Sequence, residues 1–192
     1  CVELIVNGTF GFLENGISKI PGKYDTTGEI AVANEEIKTM AREDNAGFYR
    51  AELMDSTVLD EVTWHQLPSI GTFCSTVLGD MVAAMGKLGF YTGANEFLYM
   101  GYTPFTNSIF NVRYLLYREG DFNNYDYNYV KTIDGVGIYE NPYPLSLGFV
   151  VNDDILDWNL KLYRYDIAQN NLAAIMTGQG DMFKNVKYPL MV

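Results

Sequence analysis

The chain contains one histidine, His65, so any serine- or cysteine-based catalytic triad has to use it. His65 stands in the segment Thr63-Trp64-His65-Gln66, and the sequence has no Gly-x-Ser-x-Gly nucleophile elbow. One histidine and two distant cysteines cannot form a closed tetrahedral zinc site without carboxylate help. We therefore interpret His65 as a partly exposed polar residue beside Trp64, and we expect no zinc.

Two acid-rich segments match calcium-binding loops only in part. Residues 121–128 are rich in Asp and Asn, but Asp126 replaces the glycine of the tight turn and Thr132 replaces the bidentate glutamate. Residues 153–157 form a second acidic group, whose spacing is typical of a capped turn before a short helix. We expect a solvated loop in the first case, a capped turn in the second, and no metal in either.

Glycine-rich segments fall short of nucleotide sites. Gly135-Val136-Gly137 begins like a dinucleotide fingerprint, yet Glu140 stands where the third glycine should be and a Pro-rich segment follows. Lys87 follows a glycine but precedes no Ser or Thr, which excludes a phosphate-binding P-loop. We therefore expect no nucleotide and no other cofactor.

What remains is a set of aromatic and polar side chains suited to sugars. Tyr and Phe rings can stack on pyranose faces, while Asn and Asp side chains beside them bond the hydroxyl groups. The candidate rings are Tyr99, Tyr102, Phe122, Tyr125, Tyr127 and Tyr129, and the polar neighbours are Asn123, Asn124, Asp126 and Asn128. The competing interpretation is that many of these aromatics belong to the core or its rim.

Composition places the chain among globular proteins and excludes some partners. Its 192 residues fit one domain, with 48% hydrophobic and 19% charged residues. The formal net charge of −11 repels a phosphate backbone, so we expect no nucleic-acid partner. No stretch reaches the roughly 18 apolar residues that span a bilayer. We expect a piece of a longer chain that does not itself enter the membrane.

The two cysteines are Cys1 and Cys74. They are too few and too far apart in sequence for a metal cluster. They can form a disulfide only in an oxidising compartment and only if their Cα atoms lie close together. The sequence leaves this pairing open.

Hydrophobic periodicity predicts an N-terminal hairpin and then helices. Asn15-Gly16 favours a type I′ turn, and hence a hairpin within residues 1–28. Apolar residues at spacings of three and four predict a helix over residues 29–43, capped by one of residues 25–27.

The same spacing predicts two further helices, over residues 76–88 and 166–176. Ser75 or Thr76 is the expected N-cap of the first, and Asp166 is the expected N-cap of the second. A glycine follows each helix as a natural terminator.

β-branched and aromatic runs predict the strands, and residues 56–68 are interpreted as a connecting loop. Asp134-Gly135 is a hairpin dipeptide, and prolines end the strand that follows it. The predicted strands cover residues 48–54, 112–117, 129–133, 137–140 and 147–151.

These elements predict an α+β fold, with an α/β sandwich as the alternative, built from one mixed β-sheet with about three helices. We expect a single domain over residues 1–192. Residues 1–28 form its N-terminal strand and hairpin, and residues 29–192 form the main α/β body.

Four short blocks in this order carry a resemblance to a known family. They are GFYR at 47–50, TPFTNS at 103–108, NVRYLL at 111–116 and YENPYPLSLGFV at 139–150, with Gln169-Asn170 opening the last helix. Over about residues 47–178 the chain resembles the extracytoplasmic domain of the YfhO-type bacterial integral membrane proteins. Residues 1–44 resemble the family less.

The resemblance implies a polytopic glycosyltransferase that takes sugar from a polyprenyl-phosphate donor and modifies a cell-wall polymer such as lipoteichoic acid. The implied partners are the transmembrane bundle of the same polypeptide and the polymer acceptor, on the extracytoplasmic side of the bacterial cell membrane. In such enzymes the catalytic carboxylates lie in loops near the bundle. We therefore assign no catalytic residue to this chain.

The ionic residues inside the blocks are Arg50, Arg113 and Glu140. In the structural interpretation, Arg113 pairs with an acidic neighbour and Asn141 turns the chain. In the functional interpretation, the ionic residues line a cleft that faces the acceptor. The predicted glycan- or acceptor-binding surface comprises Arg50, Tyr99, Tyr102, Arg113, Tyr125, Tyr127 and Glu140.

We expect an accessory domain that positions a polymer acceptor or caps the membrane active site, with no catalysis by this chain alone. The alternative is a non-catalytic module that binds cell-wall glycan or protein. A third interpretation, a secreted hydrolase, would need two carboxyl groups close together in one cleft.

Overall fold

The computed structural model describes residues 28–118, 126–158, 164–179 and 182–184. The predicted hairpin at Asn15-Gly16 lies outside these residues. The described elements, in chain order, are α1 (Glu29–Glu43), β1 (Arg50–Leu53), α2 (Glu61–Trp64), β2 (Thr72–Phe73), α3 (Gly79–Lys87), β3 (Tyr91–Thr92), β4 (Glu96–Leu98), α4 (Pro104–Ile109), β5 (Val112–Tyr117), β6 (Asn128–Ile133), β7 (Val136–Glu140), a 3₁₀-helix (Asp153–Asp157) and α5 (Tyr165–Thr177).

The main sheet has four strands in the order β1-β5-β7-β6. β1 runs parallel to β5, whereas β5, β7 and β6 pair antiparallel. Asp134 and Gly135 between β6 and β7 have φ angles of 51° and 87°, as a type I′ turn requires. The predicted hairpin and the predicted α+β class with a mixed sheet are confirmed.

Helix α1 covers one face of the main sheet and has the bounds that its periodicity predicts. Ile30, Ala33 and Ile37 are buried against side chains of β1, β5 and β7, because residues three and four apart share one helix face. Gly28 occupies the N-cap position and gives no side-chain cap. The caps predicted within residues 25–27 lie outside the described residues.

A second, smaller sheet accompanies the main one, with the strand order β2-β4-β3. It contributes Phe97 to a second core, together with Met85, Leu88, Phe90 and Leu172. The sequence does not predict this sheet, because strands of two or three residues are too short to show an alternating pattern.

Two predicted helix starts are corrected. The helix predicted from residue 76 begins at Gly79 with Leu78 as its N-cap, and Met81 is exposed instead of buried. The last helix is confirmed, and it ends at Gly178 in the left-handed region. Its N-cap is Arg164, because the carboxylate of Asp166 pairs with that arginine.

Two other predictions are wrong. The strand predicted over residues 147–151 does not form, and its apolar side chains are largely exposed. The connecting loop predicted over residues 56–68 contains α2.

Helix α4 was also missed, although its start carries a sequence signal. Thr103 and Thr106 form a capping box, with Pro104 at the first helical position.

Gly101 lies so close to Gly89 that replacing it by alanine should strongly reduce the stability of the fold. Gly101 has a φ angle of 85°, and a Cβ atom there would lie 2.1 Å from the carbonyl oxygen of Gly89. Gly101→Ala should therefore lower the free energy of unfolding by at least about 2 kcal/mol, measured by urea denaturation. Gly148→Ala is the matched control, because no atom lies within 4 Å of its added Cβ. Equal stability of the two variants would contradict this prediction.

Candidate functional site

The structure distributes the predicted binding residues over separate places. Arg50, Arg113 and Glu140 lie at the end of the main sheet where β1 and β5 begin and β7 finishes. Tyr99 lies in the segment that follows β4. Tyr125 lies outside the described residues.

Arg113 binds two carboxylates. Its Nη2 donates to Asp44 Oδ2 at 2.9 Å, and its Nε donates to Glu140 Oε1 at 3.0 Å. The guanidinium carbon also lies 5.7 Å from the centre of the Tyr114 ring. The predicted pairing of Arg113 with an acidic neighbour is confirmed, and Glu140 is one of its partners.

Arg50 is held by a carbonyl oxygen and an aromatic ring. Its Nη1 donates to the carbonyl oxygen of Phe110 at 2.5 Å, and its guanidinium carbon lies 4.9 Å from the centre of the Phe48 ring. Burial lowers the pKa of Arg50. These contacts support the structural interpretation of Arg50.

The described tyrosines of the predicted surface differ in exposure. Tyr127 is buried in the core, and its hydroxyl donates to the carbonyl oxygen of Val112, so its ring cannot stack on a sugar in this structure. Tyr99 and Tyr102 stack with ring centres 4.6 Å apart, and Tyr99 donates to Asn107 Oδ1 at 2.7 Å. Burial raises the pKa of Tyr99 and of Tyr127. A role of Tyr99 or Tyr102 in sugar binding stays a prediction.

The four sequence blocks meet at the end of the main sheet that carries Arg113, where the N–H of Leu145 donates to the carbonyl oxygen of Ser108 at 3.0 Å. Asn111 Nδ2 donates to the carbonyl oxygen of Phe48 at 2.7 Å, and Asn141 Nδ2 donates to that of Val112 at 3.1 Å. The Asn141 side chain also accepts the N–H of Tyr143 at 2.9 Å, which confirms that Asn141 turns the chain. We call this set of contacts the block junction.

A cleft of about 490 Å³ lies at the other end of the sheet, beyond the carboxyl end of β1. Residues 52–54 and 56–62 line one side of it, and Gly71 and residues 98–100 line the other. We call it the acidic cleft, because its described lining residues include Glu52, Asp60 and Glu61 and no lysine or arginine. The sequence interpretation missed it; the one available signal was a glutamate inside an apolar strand.

Glu52 is the most buried acid of the cleft, with 1% of its surface exposed. Ala51 and Leu53 on either side pack against α1, so Glu52 points to the opposite face of the sheet. Its carboxyl group accepts hydrogen bonds from the backbone N–H groups of Ile70 and Gly71. Burial raises the pKa of Glu52 to about 8, against these two opposing hydrogen bonds. The carboxyl group is therefore largely protonated at neutral pH.

Glu61 is kept ionised by its hydrogen bonds. Burial by itself would raise the pKa of Glu61, but bonds from Thr57 and Arg118 outweigh it and hold the pKa below its ordinary value. Thr57 donates its N–H and its hydroxyl to Glu61 Oε2, at 2.6 and 3.1 Å. Arg118 also binds Glu29 on α1 and Asp55 after β1. This arginine therefore fixes the loop wall of the cleft to α1 and β5.

His65 lies beside this cluster and forms no triad. Its Nε2 is 3.7 Å from Glu61 Oε1, and its side chain is only 7% exposed, which is more buried than predicted. Within the described ranges, no group of three His, Cys, Asp or Glu side chains is arranged to hold a metal ion.

The remaining sequence predictions concern a turn and a thiol. The capped turn predicted at residues 153–157 is confirmed: Asn152 Oδ1 accepts the N–H of Asp154 and caps the 3₁₀-helix. Cys74 is exposed. Cys1 lies outside the described residues, so the pairing of the two cysteines stays open.

The cleft can hold a hydroxyl-bearing ligand. The hydroxyl group of Thr57 and the carboxyl group of Asp60 can accept hydrogen bonds from hydroxyl groups of a ligand. Leu98 and Met100 provide apolar wall. An apolar cavity with a few placed polar groups is the usual form of a small-ligand site.

Comparison with known proteins places the chain in a family. A family model described as "Bacterial membrane protein YfhO" matches residues 2–190. No curated protein matches the chain, and no solved structure matches it. In the part of the chain that the structure describes, no helix is both long and apolar enough to cross a bilayer.

The buried Glu52 predicts a pH-dependent stability. Its pKa of about 8 in the folded chain exceeds the ordinary 4.5, so between these values the folded state keeps a proton that the unfolded state has lost. The stability of the wild-type chain therefore falls as the pH rises through this window. Glu52→Gln cannot ionise, so its free energy of unfolding relative to wild type should rise with pH by up to about 1.4 kcal/mol per unit.

Urea denaturation at a series of pH values measures this difference. Glu43→Gln, at an exposed position of α1, controls for the loss of a carboxyl group. If the amide changes the free energy of unfolding by the same amount at every pH, the dependence of the difference on pH is unaffected. If the difference in free energy of unfolding between Glu52→Gln and wild type does not change between pH 4.5 and about 8, Glu52 is not a buried, protonated acid.

Proposed function

We infer the function of this chain from its family, because it belongs to the YfhO family of bacterial membrane proteins. We propose that it is an extracytoplasmic accessory domain of a membrane glycosyltransferase that modifies a cell-wall polymer such as lipoteichoic acid. In this role the chain holds the acceptor polymer and performs no chemistry alone. The transmembrane bundle of the same polypeptide supplies the catalytic groups.

The acidic cleft is the observation that carries this proposal. Its volume of about 490 Å³ suits a ligand of one or a few sugar rings. Thr57 and Asp60 offer hydrogen-bonding groups in its lining, and Leu98 and Met100 offer apolar surface. A sugar presents both hydroxyl groups and an apolar ring face, so it matches both walls.

Charge determines which part of an acceptor polymer enters. Glu52 is protonated and Glu61 is paired with Arg118, so Asp60 and the net charge of −11 of the whole chain provide the negative field at the cleft. The phosphate groups of a teichoic-acid backbone are repelled by this field. The cleft therefore takes an uncharged sugar unit of the acceptor, and the phosphate groups stay in solvent.

The same acids argue against a free-standing hydrolase. Such an enzyme needs a proton-donating carboxyl group and a second carboxylate that faces the reacting carbon or its water. Glu61 is occupied by Thr57 and Arg118, and Glu52 is bonded to two backbone N–H groups. Both acids thus hold the walls of the cleft together, which supports binding over bond cleavage.

A second candidate function is a module that binds another protein. It is favoured by the exposed apolar side chains that follow β7, among them Tyr143, Leu147 and Val150. Contiguous exposed apolar residues of this kind are typical of protein contacts.

The proposal predicts sugar binding without turnover. An uncharged linear gluco-oligosaccharide, titrated by calorimetry, should bind the chain, and lipoteichoic acid should bind more weakly at low salt than at high salt. Met100→Trp should fill the cleft and lower the oligosaccharide affinity at least about tenfold, since the larger side chain occupies the ligand's volume. Leu147→Trp is the matched control, because Leu147 is exposed outside the cleft.

A transferase assay with a polyprenyl-phosphate sugar donor completes the test. The isolated chain should transfer no sugar to lipoteichoic acid and should cleave no oligosaccharide. Transfer by this chain alone would overturn the accessory role. Equal affinities of wild type and Met100→Trp would overturn the assignment of the cleft.

A further inference from the structure

Among the described residues, the elements that pack on the small sheet lie on one of its faces. Thr72 and Thr92 lie opposite Phe97 in the two antiparallel ladders, and Phe97 is buried. A Cβ atom added to Gly86 on α3 would lie 3.2 Å from Thr92 Oγ1. Helix α3 therefore packs on the face that carries Phe97.

The residues between these positions point to the opposite face. Phe73 lies opposite Glu96, and Tyr91 lies opposite Leu98. Phe73 is 47% exposed and Tyr91 is 51% exposed. We call these four residues the aromatic face.

The Cα atoms of Phe73 and Tyr91 are farther apart than the width of one sugar ring. Phe73 and Tyr91 lie on the outer strands, and their partners Glu96 and Leu98 are two residues apart on β4. With about 4.8 Å between strands and about 3.4 Å per residue, their Cα atoms are roughly 12 Å apart. Side chains stand roughly perpendicular to a sheet, so the two rings keep about this spacing. One pyranose ring is too small to stack on both, whereas a chain of sugars can.

The aromatic face continues into the acidic cleft. Leu98 belongs to the face and also lines the cleft, as does Met100 beyond it. The backbone N–H of Phe73 donates to Asp60 Oδ1 at 2.8 Å, which holds the face against the loop wall of the cleft. A ligand that leaves the cleft along Leu98 therefore reaches Phe73 and Tyr91.

The charge of Glu96 limits which classes of ligand can bind the aromatic face. It stands on the central strand, partly exposed, and among the described residues its carboxylate has no hydrogen-bond or ion-pair partner. A lipid tail or an apolar protein surface would bury this charge unpaired, which costs several kcal/mol. A polyanion would be repelled, whereas sugar hydroxyl groups donate to it.

We propose that the aromatic face binds a linear, uncharged glycan chain whose end unit lies in the acidic cleft. Phe73 and Tyr91 stack on separate sugar rings, and Glu96, whose side chain lies against Gly93 just after β3, accepts a hydrogen bond from a sugar hydroxyl group beside Tyr91. This assignment rests on the proposed function of the cleft and extends it from one sugar unit to a polymer segment.

Calorimetric titration with uncharged gluco-oligosaccharides of increasing length tests the assignment. Affinity should rise with length until the chain covers the face. Phe73→Ala and Tyr91→Ala should each lower the affinity for the longest oligomer about tenfold and leave that for the shortest unchanged, because only long oligomers reach the rings. Phe73→Tyr should restore most of the loss. Tyr143→Ala, at an aromatic residue that is 77% exposed elsewhere, should have no effect.

The outcomes separate this proposal from the previous one. If short oligomers bind and affinity does not rise with length, the aromatic face is not a glycan site, while the cleft stands. If no oligomer binds at any length, the sugar-binding function of the cleft fails as well. Two further results would overturn the glycan assignment. One is that the chain co-sediments with phosphatidylcholine vesicles, and the other is that it self-associates. In either case Phe73→Ala and Tyr91→Ala would abolish the interaction without changing the midpoint of urea unfolding.

Discussion

The parallel register of β5 against β1 is the constraint on which both faces of the main sheet depend. Asn111 has a φ angle of 54° just before β5, and its side chain holds the carbonyl oxygen of Phe48 just before β1. A slip of one residue would turn every side chain of β1 to the other face. Glu52 would then point at α1, whose buried side chains there are mostly apolar, among them Ile30 and Ile37.

Given that register, the two acids of the cleft avoid the cost of burial by different means. At Glu52, burial outweighs the two backbone hydrogen bonds and the charge of Arg50, so this acid keeps its proton. Glu61 meets Thr57 and Arg118, so it loses its proton. Because Arg118 also binds α1 and the loop after β1, the charge of Glu61 is part of the contact that shapes the cleft. The ion pair of Glu61 and Arg118 therefore both keeps Glu61 ionised and fixes the wall of the cleft.

Most of the long elements could be predicted from the sequence and most of the short ones could not, with β1 and α4 as exceptions. Helix α1, helix α5 and strands β5–β7 repeat their pattern over five residues or more, enough to distinguish the helical period from the strand period. Strands β2–β4 and helix α2 contain two to four residues each. The cleft was missed for a related reason: Glu52, Asp60 and Leu98 come from three segments, and only the folded sheets bring them together.

The residues that carry the family resemblance and those that form the candidate ligand surface lie in different parts of the fold. Asn111 and Asn141 bond backbone carbonyl groups at the block junction, so replacing either leaves buried polar groups without partners. Phe73, Tyr91 and Met100 are exposed and donate no side-chain hydrogen bond to that junction. The fold therefore permits its ligand surface to change while the register of β5 is kept. A short sequence block can identify the architecture of such a domain without identifying what it binds.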